Sequence, residues 1–295
     1  MSIIKSFAVG NGDMYYIRHG SDNFTIIDCS LPSDREGAIL AELQAQSRDR
    51  GIVRFISTHP DQDHIRGLVA LDDALTLMNF YCVQNKARKT SVTLDFERYC
   101  DLRDDSDKAF YLYRDCARRW MNRASDERGS SGINILWPIL GDADHDSALS
   151  DAAAALPPNN LSCIAKYSLD EGVDALWMGD LETDFMEKLQ DKISLPPVDV
   201  LFAPHHGRAS GKVPKQWLSQ MSPGLIIIGE APSEYLDYYS GYDIITQNSA
   251  GDLLFDCVAN KVHVYASDHT YVANCLEDED LDHSHGLYYI GTLPC

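Results

Sequence analysis

The residues best suited to chemistry lie in the stretch 58–64, Thr-His-Pro-Asp-Gln-Asp-His, which holds two histidines and two aspartates. The apolar stretch 52–56 before it predicts a buried strand, and Pro60 disfavours an immediate helix start. We therefore expect the polar side chains in a loop at a strand end, a common place for sites on rigid scaffolds. Imidazole nitrogens and carboxylate oxygens are ligands of Zn²⁺, Mn²⁺ or Fe²⁺. On residue types alone, a solvated acidic loop is the alternative.

Two later stretches favour the metal site over the acidic loop. The apolar run 175–178 is followed by Gly179-Asp180, and the apolar run 198–203 is followed by Pro204-His205-His206-Gly207. Both runs predict buried strands. Three predicted strands thus deliver Asp or His side chains at their carboxyl ends.

With these motifs the chain resembles the metallo-β-lactamase fold superfamily, most closely the hydrolase domain of ComEC-type DNA-uptake proteins. That branch carries His-Pro-Asp-x-Asp-His, Asn-Asn-x-Ser, Gly-Asp and Pro-His-His-Gly, and the matching segments here are 59–64, 159–162, 179–180 and 204–207. The resemblance implies an α/β fold, an αββα sandwich of four layers, here with a helical insertion.

The resemblance also implies a centre of two divalent metal ions, zinc or manganese, that activate a shared water. The first ion would be held by His59, Asp61 and Asn160, and Asp180 would bridge to the second ion. The ligands of the second ion would be Asp63, His64 and one of His205 or His206.

Catalytic roles follow from the same resemblance. Asp63 could instead orient the nucleophile, and the histidine of the pair His205 and His206 that does not bind metal is a candidate proton donor or oxyanion contact. Arg208 stands where the family usually has Ser, and its fixed positive charge favours a phosphate-bearing substrate. A structural salt bridge is the alternative role for Arg208.

Two further residues lie near possible ligands. Asp13 follows Val-Gly-Asn-Gly, which resembles the opening motif of the same branch, and we interpret it either as the partner of a ligating histidine or as part of a plain turn. His145 lies among aspartates, and we expect it in a flexible acidic loop rather than at a metal.

Organisation along the chain predicts one hydrolase domain, residues 1–295, interrupted by an insert at about 84–130 and ending in an acidic segment at about 277–295. Patterns of apolar residues predict helices over 34–47 and from Ile65 to Leu75. The insert looks helical and holds 11 of the 25 Lys and Arg residues. It is either a solvated helical face, a contact for phosphate-containing substrate, or a surface for a protein partner.

Composition limits the partners and the compartment. A formal net charge of −20 argues against a broad basic surface for duplex DNA, although bound metal ions can invert the field inside a site. No stretch approaches the length of a membrane span, and no secretory signal is evident, so we expect no membrane association. The eight scattered cysteines contain no CxxC pair, which is typical of reduced thiols in a cytoplasmic protein.

Three functions remain open. The first is a binuclear metal-dependent hydrolase, a phosphodiesterase or nuclease acting on a nucleic acid or nucleotide. The second is a thioester, lactone or β-lactam hydrolase, which usually goes with His-x-His-x-Asp-His and not with Asp61 at the second position. The third is a non-catalytic scaffold that recruits a partner, which the intact Asp63, Asp180 and histidine pair oppose.

Overall fold

Two β-sheets contain the fifteen strands found in the computed structural model, which describes residues 1–122, 132–229 and 238–295. The first sheet has nine strands: β1 Ser2–Ser6, β2 Tyr15–Arg18, β3 Asn23–Ile27, β4 Ile52–Ser57, β5 Phe80–Cys82, β6 Ala109–Tyr111, β13 Leu253–Val258, β14 Lys261–Ala266 and β15 Tyr288–Pro294. The second has six: β7 Gly132–Trp137, β8 Ile164–Ser168, β9 Asp174–Trp177, β10 Val200–Phe202, β11 Leu225–Ile228 and β12 Ile244–Thr246.

Each sheet combines an antiparallel part with a parallel part. In the first sheet the strand order is β15-β14-β13-β1-β2-β3-β4-β5-β6, and β3 to β6 run parallel. In the second the order is β12-β11-β10-β9-β8-β7, and β9 to β12 run parallel. Loops that follow neighbouring parallel strands leave from the same edge of the sheet, which brings their side chains together.

Helices cover the outer face of each sheet. They are α1 Glu36–Ser47, α2 Gln62–Ile65, α3 Leu68–Leu75, α4 Leu94–Asp104, α5 Ala143–Ala153, α6 Thr183–Leu189, α7 Lys215–Met221 and α8 Gln247–Ala250. Successive strand residues alternate between the two faces. In β4, for example, Phe55 packs in the same core as the helices, whereas Ile56 belongs to the core between the sheets.

The core between the sheets is rich in aromatic and β-branched residues. Trp177 and Phe202 of the second sheet stack with ring centroids 4.7 Å apart, and Tyr15 of the first sheet meets Phe202 edge-on at 5.0 Å. Helix, sheet, sheet and helix thus form four layers. The expected four-layer αββα architecture is confirmed.

Local structure differs from expectation in two places. The helix predicted from Ile65 is divided into α2 and α3 by Gly67, whose φ of +92° lies in the left-handed region that glycine tolerates. The expectation of a flexible loop around His145 was wrong, because these residues form α5. Asp142 caps this helix, accepting a hydrogen bond of 2.9 Å from the Asp144 backbone N–H, and His145 is buried against Trp137.

The insert is only partly helical. Its described part, 84–122, contains α4 and also β6, which pairs with β5 and extends the first sheet. Residues 123–130 of the predicted insert lie outside the described residues. The acidic segment 277–295 includes β15, which pairs with β14. Within the described ranges, no helix combines the length and the apolar character needed to cross a bilayer.

Candidate metal centre

Loops from both sheets bring the candidate ligands together. His59 and His64 follow β4, Asp180 follows β9, and His205 and His206 follow β10. Gly179 has a φ of +51°, and a Cβ at this position would lie 2.6 Å from Ser162 Oγ. This close packing makes glycine necessary immediately before Asp180.

Asp180 lies at the centre of four imidazole rings. Its carboxylate oxygens are within 3.9 Å of all four Nε2 atoms: 2.9 Å for His64, 3.6 Å for His206, 3.7 Å for His205 and 3.9 Å for His59. Asp63 joins the group, with Oδ2 3.5 Å from His206 Nε2. One ligand atom from each of Asp13, His64, Asp180 and His206 lies within 4.8 Å of the others, and all four residues are buried.

These buried atoms have the character of metal ligands. Among the described residues, Nε2 of His59, His64 and His206 and Oδ1 of Asp180 make no hydrogen bond. The 2.9 Å approach of His64 to Asp180 is therefore close without being aligned as a hydrogen bond. Buried polar atoms without partners are costly, and a cation among them would satisfy several at once. The residues present fit a divalent ion with nitrogen and oxygen ligands.

The opposite ring nitrogens are each held by a second polar group. His64 Nδ1 lies 2.8 Å from Asp28 Oδ2, and the Thr58 hydroxyl lies 2.6 Å from the same oxygen and 3.2 Å from His59 Nδ1. Such partners fix the ring orientation of metal-binding histidines. Asp28 was missed in the sequence, where its only signal is an acidic residue directly after an apolar strand.

The histidine pair has the same arrangement with different partners. His206 Nδ1 lies 3.0 Å from Asp13 Oδ1, and His205 Nδ1 lies 3.0 Å from Ser210 Oγ. The interpretation of Asp13 as the partner of a histidine ring therefore agrees with its position, although it also belongs to the cluster by distance. No sequence signal pointed to Ser210.

Consecutive left-handed residues shape this loop. His205 and His206 have φ values of 53° and 56°, and Gly207 has a φ of +84°. Residues other than glycine adopt this conformation rarely and at a cost, and they do so most often at functional sites. The turn lets two adjacent histidines both direct Nε2 toward Asp180.

The buried carboxylates favour protonated rings at His64 and His206. Burial alone would lower the pKa of His206, but Asp13 and Asp180 outweigh it and raise that pKa to about 10. Asp180 and Asp28 likewise outweigh burial and raise the pKa of His64. Burial and the charge of His64 lower the pKa of His59 to about 3. Metal binding would therefore have to displace protons from this cluster.

Three predicted site residues have other partners. Asp61 caps α2, its Oδ1 accepting from the Gln62 backbone N–H at 2.8 Å, and lies 2.6 Å from Lys89 Nζ. Both amide atoms of Asn160 bond to Glu182, at 3.0 and 3.1 Å.

Arg208 is the third. Its guanidinium donates to the side chain of Asn11, whose amide nitrogen is 3.4 Å from Asp63 Oδ2. Arg208 is thereby held beside the cluster. Ser162, the last residue of the Asn-Asn-x-Ser motif, holds the backbone of the site, because its Oγ accepts from the Asp180 N–H at 2.9 Å.

Comparison with known proteins gives structural likenesses only. No protein-family model matches the chain, and no curated protein matches it. Solved structures similar to this chain include metallo hydrolases, metallo-β-lactamases and a diiron β-hydroxylase. One is Igni18, a metallo hydrolase from the archaeon Ignicoccus hospitalis, with 12% identity, a TM-score of 0.48, and coverage of 86% of this chain and 99% of that one.

Two more have similar scores. A diphosphatase of the PhnP family has 12% identity and a TM-score of 0.45, covering 86% of this chain and 98% of that one. An isothiocyanate hydrolase from Delia radicum gut bacteria has 14% identity and a TM-score of 0.46, again covering 86% and 98%. At these scores the likenesses carry no conclusion about substrate or ligands, for which the geometry of the cluster is the guide.

Proposed function

We propose that this protein is a metal-dependent hydrolase that cleaves phosphodiester bonds, in a nucleic acid or a nucleotide. The observation that supports it most is the position of Asp180, whose carboxylate is within 3.9 Å of four imidazole Nε2 atoms. Three of these Nε2 atoms make no hydrogen bond with any residue that the structure describes. A scaffold would have no need for so many buried, unpartnered polar atoms. The particular resemblance of this chain to ComEC-type hydrolase domains remains a prediction from its sequence motifs.

The residues that would hold the ion are Asp63, His64, Asp180 and His206. When bound, a divalent cation lowers the pKa of water towards about 7 and stabilises negative charge that develops on a substrate oxygen. Zinc and manganese both accept this mixture of imidazole and carboxylate ligands. The resemblance implies a second ion on His59, Asp61 and Asn160. The number of ions bound per chain tests whether this ion is present.

His205 has a different role in this proposal. Its Nε2 faces Asp180 at 3.7 Å, while Ser210 lies 3.0 Å from Nδ1. Burial lowers the pKa of His205, which favours the neutral ring. If the Ser210 hydroxyl donates to Nδ1, the remaining ring proton is on Nε2. That N–H would then donate a hydrogen bond to an oxyanion or to the leaving-group oxygen.

The charge around the cluster supports an anionic substrate. Arg208 is only partly buried and is held through Asn11 at the edge of the cluster. A guanidinium at this place suits the planar, charged oxygens of a phosphate group better than a neutral lactam or thioester. The net charge of −20 would otherwise repel such a substrate. We place this activity in the cytoplasm, in keeping with the eight free cysteines.

The test measures metal content and turnover together. Protein purified without chelator should contain bound zinc or manganese and hydrolyse bis(p-nitrophenyl) phosphate. Asp180→Asn keeps the shape of the side chain but removes its charge, and should abolish both properties. Asp49→Asn, in an exposed turn, should change neither. If the protein binds metal but hydrolyses only thioesters, lactones or β-lactams, the proposed phosphodiester substrate is wrong. If it binds no metal, the proposed enzymatic function is wrong.

A further inference from the structure

The two halves of the expected metal centre differ in how their polar atoms are used. In the half formed by Asp63, His64, Asp180 and His206, the Nε2 atoms of both histidines and Oδ1 of Asp180 make no hydrogen bond within the described chain. In the other half, Asp61 and Asn160 already have partners. In that second half His59 Nε2 is the only buried side-chain atom left without a hydrogen bond among the described residues, whereas the first half has three such atoms.

One carboxylate oxygen of Asp61 is engaged by two groups of this protein. Its Oδ1 accepts from the Gln62 N–H at 2.8 Å, which caps α2, and from Lys89 Nζ at 2.6 Å, which is a short charge-assisted contact. Asn160 uses both of its amide atoms: Nδ2 donates to Glu182 Oε2 at 3.0 Å, and Oδ1 accepts from the Glu182 N–H at 3.1 Å. A metal ion bound to Asp61 Oδ1 and to Asn160 would have to displace these contacts.

The segment that carries Lys89 is fastened on both sides. Before it, the Arg88 N–H donates to the Ala152 carbonyl of α5 at 2.9 Å. After it, the Thr93 hydroxyl lies 2.8 Å from Gln62 Oε1, so the start of α4 is tied to the residue next to Asp61. The Lys89 side chain is only 20% exposed. The contacts of the insert therefore hold the Lys89 ammonium at Asp61.

We infer that Lys89 replaces the first metal ion, so that the centre holds one divalent cation and the Lys89 ammonium serves as its fixed positive neighbour and as a contact for an anionic substrate oxygen. An ammonium has three donors, so its bond to Asp61 leaves others for a phosphate oxygen. This role would connect the basic insert to the site. The inference rests on the proposed function, because it concerns the same centre.

Metal stoichiometry tests the first part. Chelator-treated protein is dialysed against excess Mn²⁺, and bound metal is counted by mass spectrometry and by electron paramagnetic resonance, which separates isolated Mn²⁺ from coupled pairs. We expect one uncoupled ion per chain, unchanged in Asp61→Asn. Two coupled ions in the wild type, falling to one in Asp61→Asn, would overturn the inference and leave the proposed hydrolase intact. No bound ion would instead reject the proposed function.

Phosphate binding tests the second part without measuring turnover. Calorimetric titration of the Mn²⁺-loaded protein with inorganic phosphate should give an affinity about tenfold lower in Lys89→Met, the order expected for losing one charged hydrogen bond. Lys89→Arg keeps a cation at this position and should bind phosphate nearly as well as the wild type. Circular dichroism and thermal midpoints verify that each variant is folded. Equal phosphate affinity in folded Lys89→Met and wild type would overturn the role of Lys89.

Discussion

Asp28 and His64 form one of the most buried polar contacts of the centre, with Asp28 Oδ2 2.8 Å from His64 Nδ1 and both residues fully buried. The same carboxylate accepts from the Thr58 backbone N–H at 2.8 Å, and the Thr58 hydroxyl reaches His59. Asp28 itself has a φ of 56°, in the left-handed region. One carboxylate in a rare backbone conformation thus orients both histidines of the first motif.

Replacement of Asp28 by Asn should weaken metal binding while the metal ligands remain. An amide has only one accepting oxygen, so it cannot replace both carboxylate oxygens that accept from Thr58 and His64. The ring of His64 would therefore lose its fixed orientation. Loss of such a partner typically costs about 10- to 100-fold in metal affinity. Competition with a chromophoric chelator measures the change. Thr58→Ser, which keeps the hydroxyl, serves as the control, and an unchanged affinity in Asp28→Asn would refute the role.

Asparagine substitutions should separate the roles of His205 and His206. Asn tolerates the left-handed conformation of both positions, so the loop should be preserved. His206→Asn removes a predicted ligand and should lower metal affinity by at least about 100-fold. His205→Asn should keep its metal and lose turnover of bis(p-nitrophenyl) phosphate. Equal metal loss in both variants would show that His205 also ligates.

Asp252 should contribute to stability and not to metal binding. Its carboxylate accepts from the Ala8 N–H at 2.8 Å and from both terminal nitrogens of Arg35 at 3.0 and 2.6 Å, which ties β13 to α1. Asp252→Asn should lower the free energy of unfolding by about 2 to 3 kcal/mol, as for loss of charged hydrogen bonds. Urea denaturation in the presence of chelator measures this without a metal contribution.

The exposed Asp49→Asn is the matched control for that variant. If Asp252→Asn changes the free energy of unfolding by no more than this control does, the ion pair with Arg35 is not a stabilising contact. Metal affinity should be the same in both variants.

His19 should make stability fall in acid. The ring is buried, and burial together with the charges of Arg54 and Arg50 lowers its pKa well below 6.5. Below about pH 6.5 the unfolded chain therefore binds a proton that the folded chain does not, and stability decreases by up to about 1.4 kcal/mol per pH unit. In His19→Gln this contribution should disappear.

The measurement for His19 is the change in the free energy of unfolding between about pH 7.5 and about pH 5.5, with chelator present. The decrease should be larger in the wild type than in His19→Gln by about 1.4 kcal/mol, and equal decreases would show that His19 is not the responsible group. Titration of the metal cluster is common to both proteins and cancels in the comparison.

Much of the architecture could be predicted because its signals are local. Apolar runs before Thr58, Gly179 and Pro204 indicated buried strands, and the polar residues after them indicated candidate ligands at the carboxyl ends of these strands. The division of α2 from α3 could not be predicted from periodicity, because it depends on the left-handed Gly67. The helix at His145 was missed because its acidic sequence suggested solvent, whereas Asp142 supplies a cap.

The candidate site was predictable in its residue types and less so in its contacts. Asp63, His64, Asp180 and His206 come together as the motifs suggested. The partners of Asp61 and Asn160 could not be foreseen, because Lys89 and Glu182 carry no motif and reach them only through the folded chain. The histidine pair was ambiguous for a related reason, since its geometry depends on consecutive left-handed residues.

The cluster is built from segments that follow strands of both sheets, and this has a consequence for the chain as a whole. All eight cysteines, each in a described part of the chain, are free, so none forms a covalent cross-link. An ion on His64, Asp180 and His206 would join distant loops and close a long stretch of chain, which restricts the unfolded state much as a disulfide does. Unlike a disulfide, this cross-link would be opened by acid or a chelator, because protonated histidines release metal, and would be indifferent to reductants.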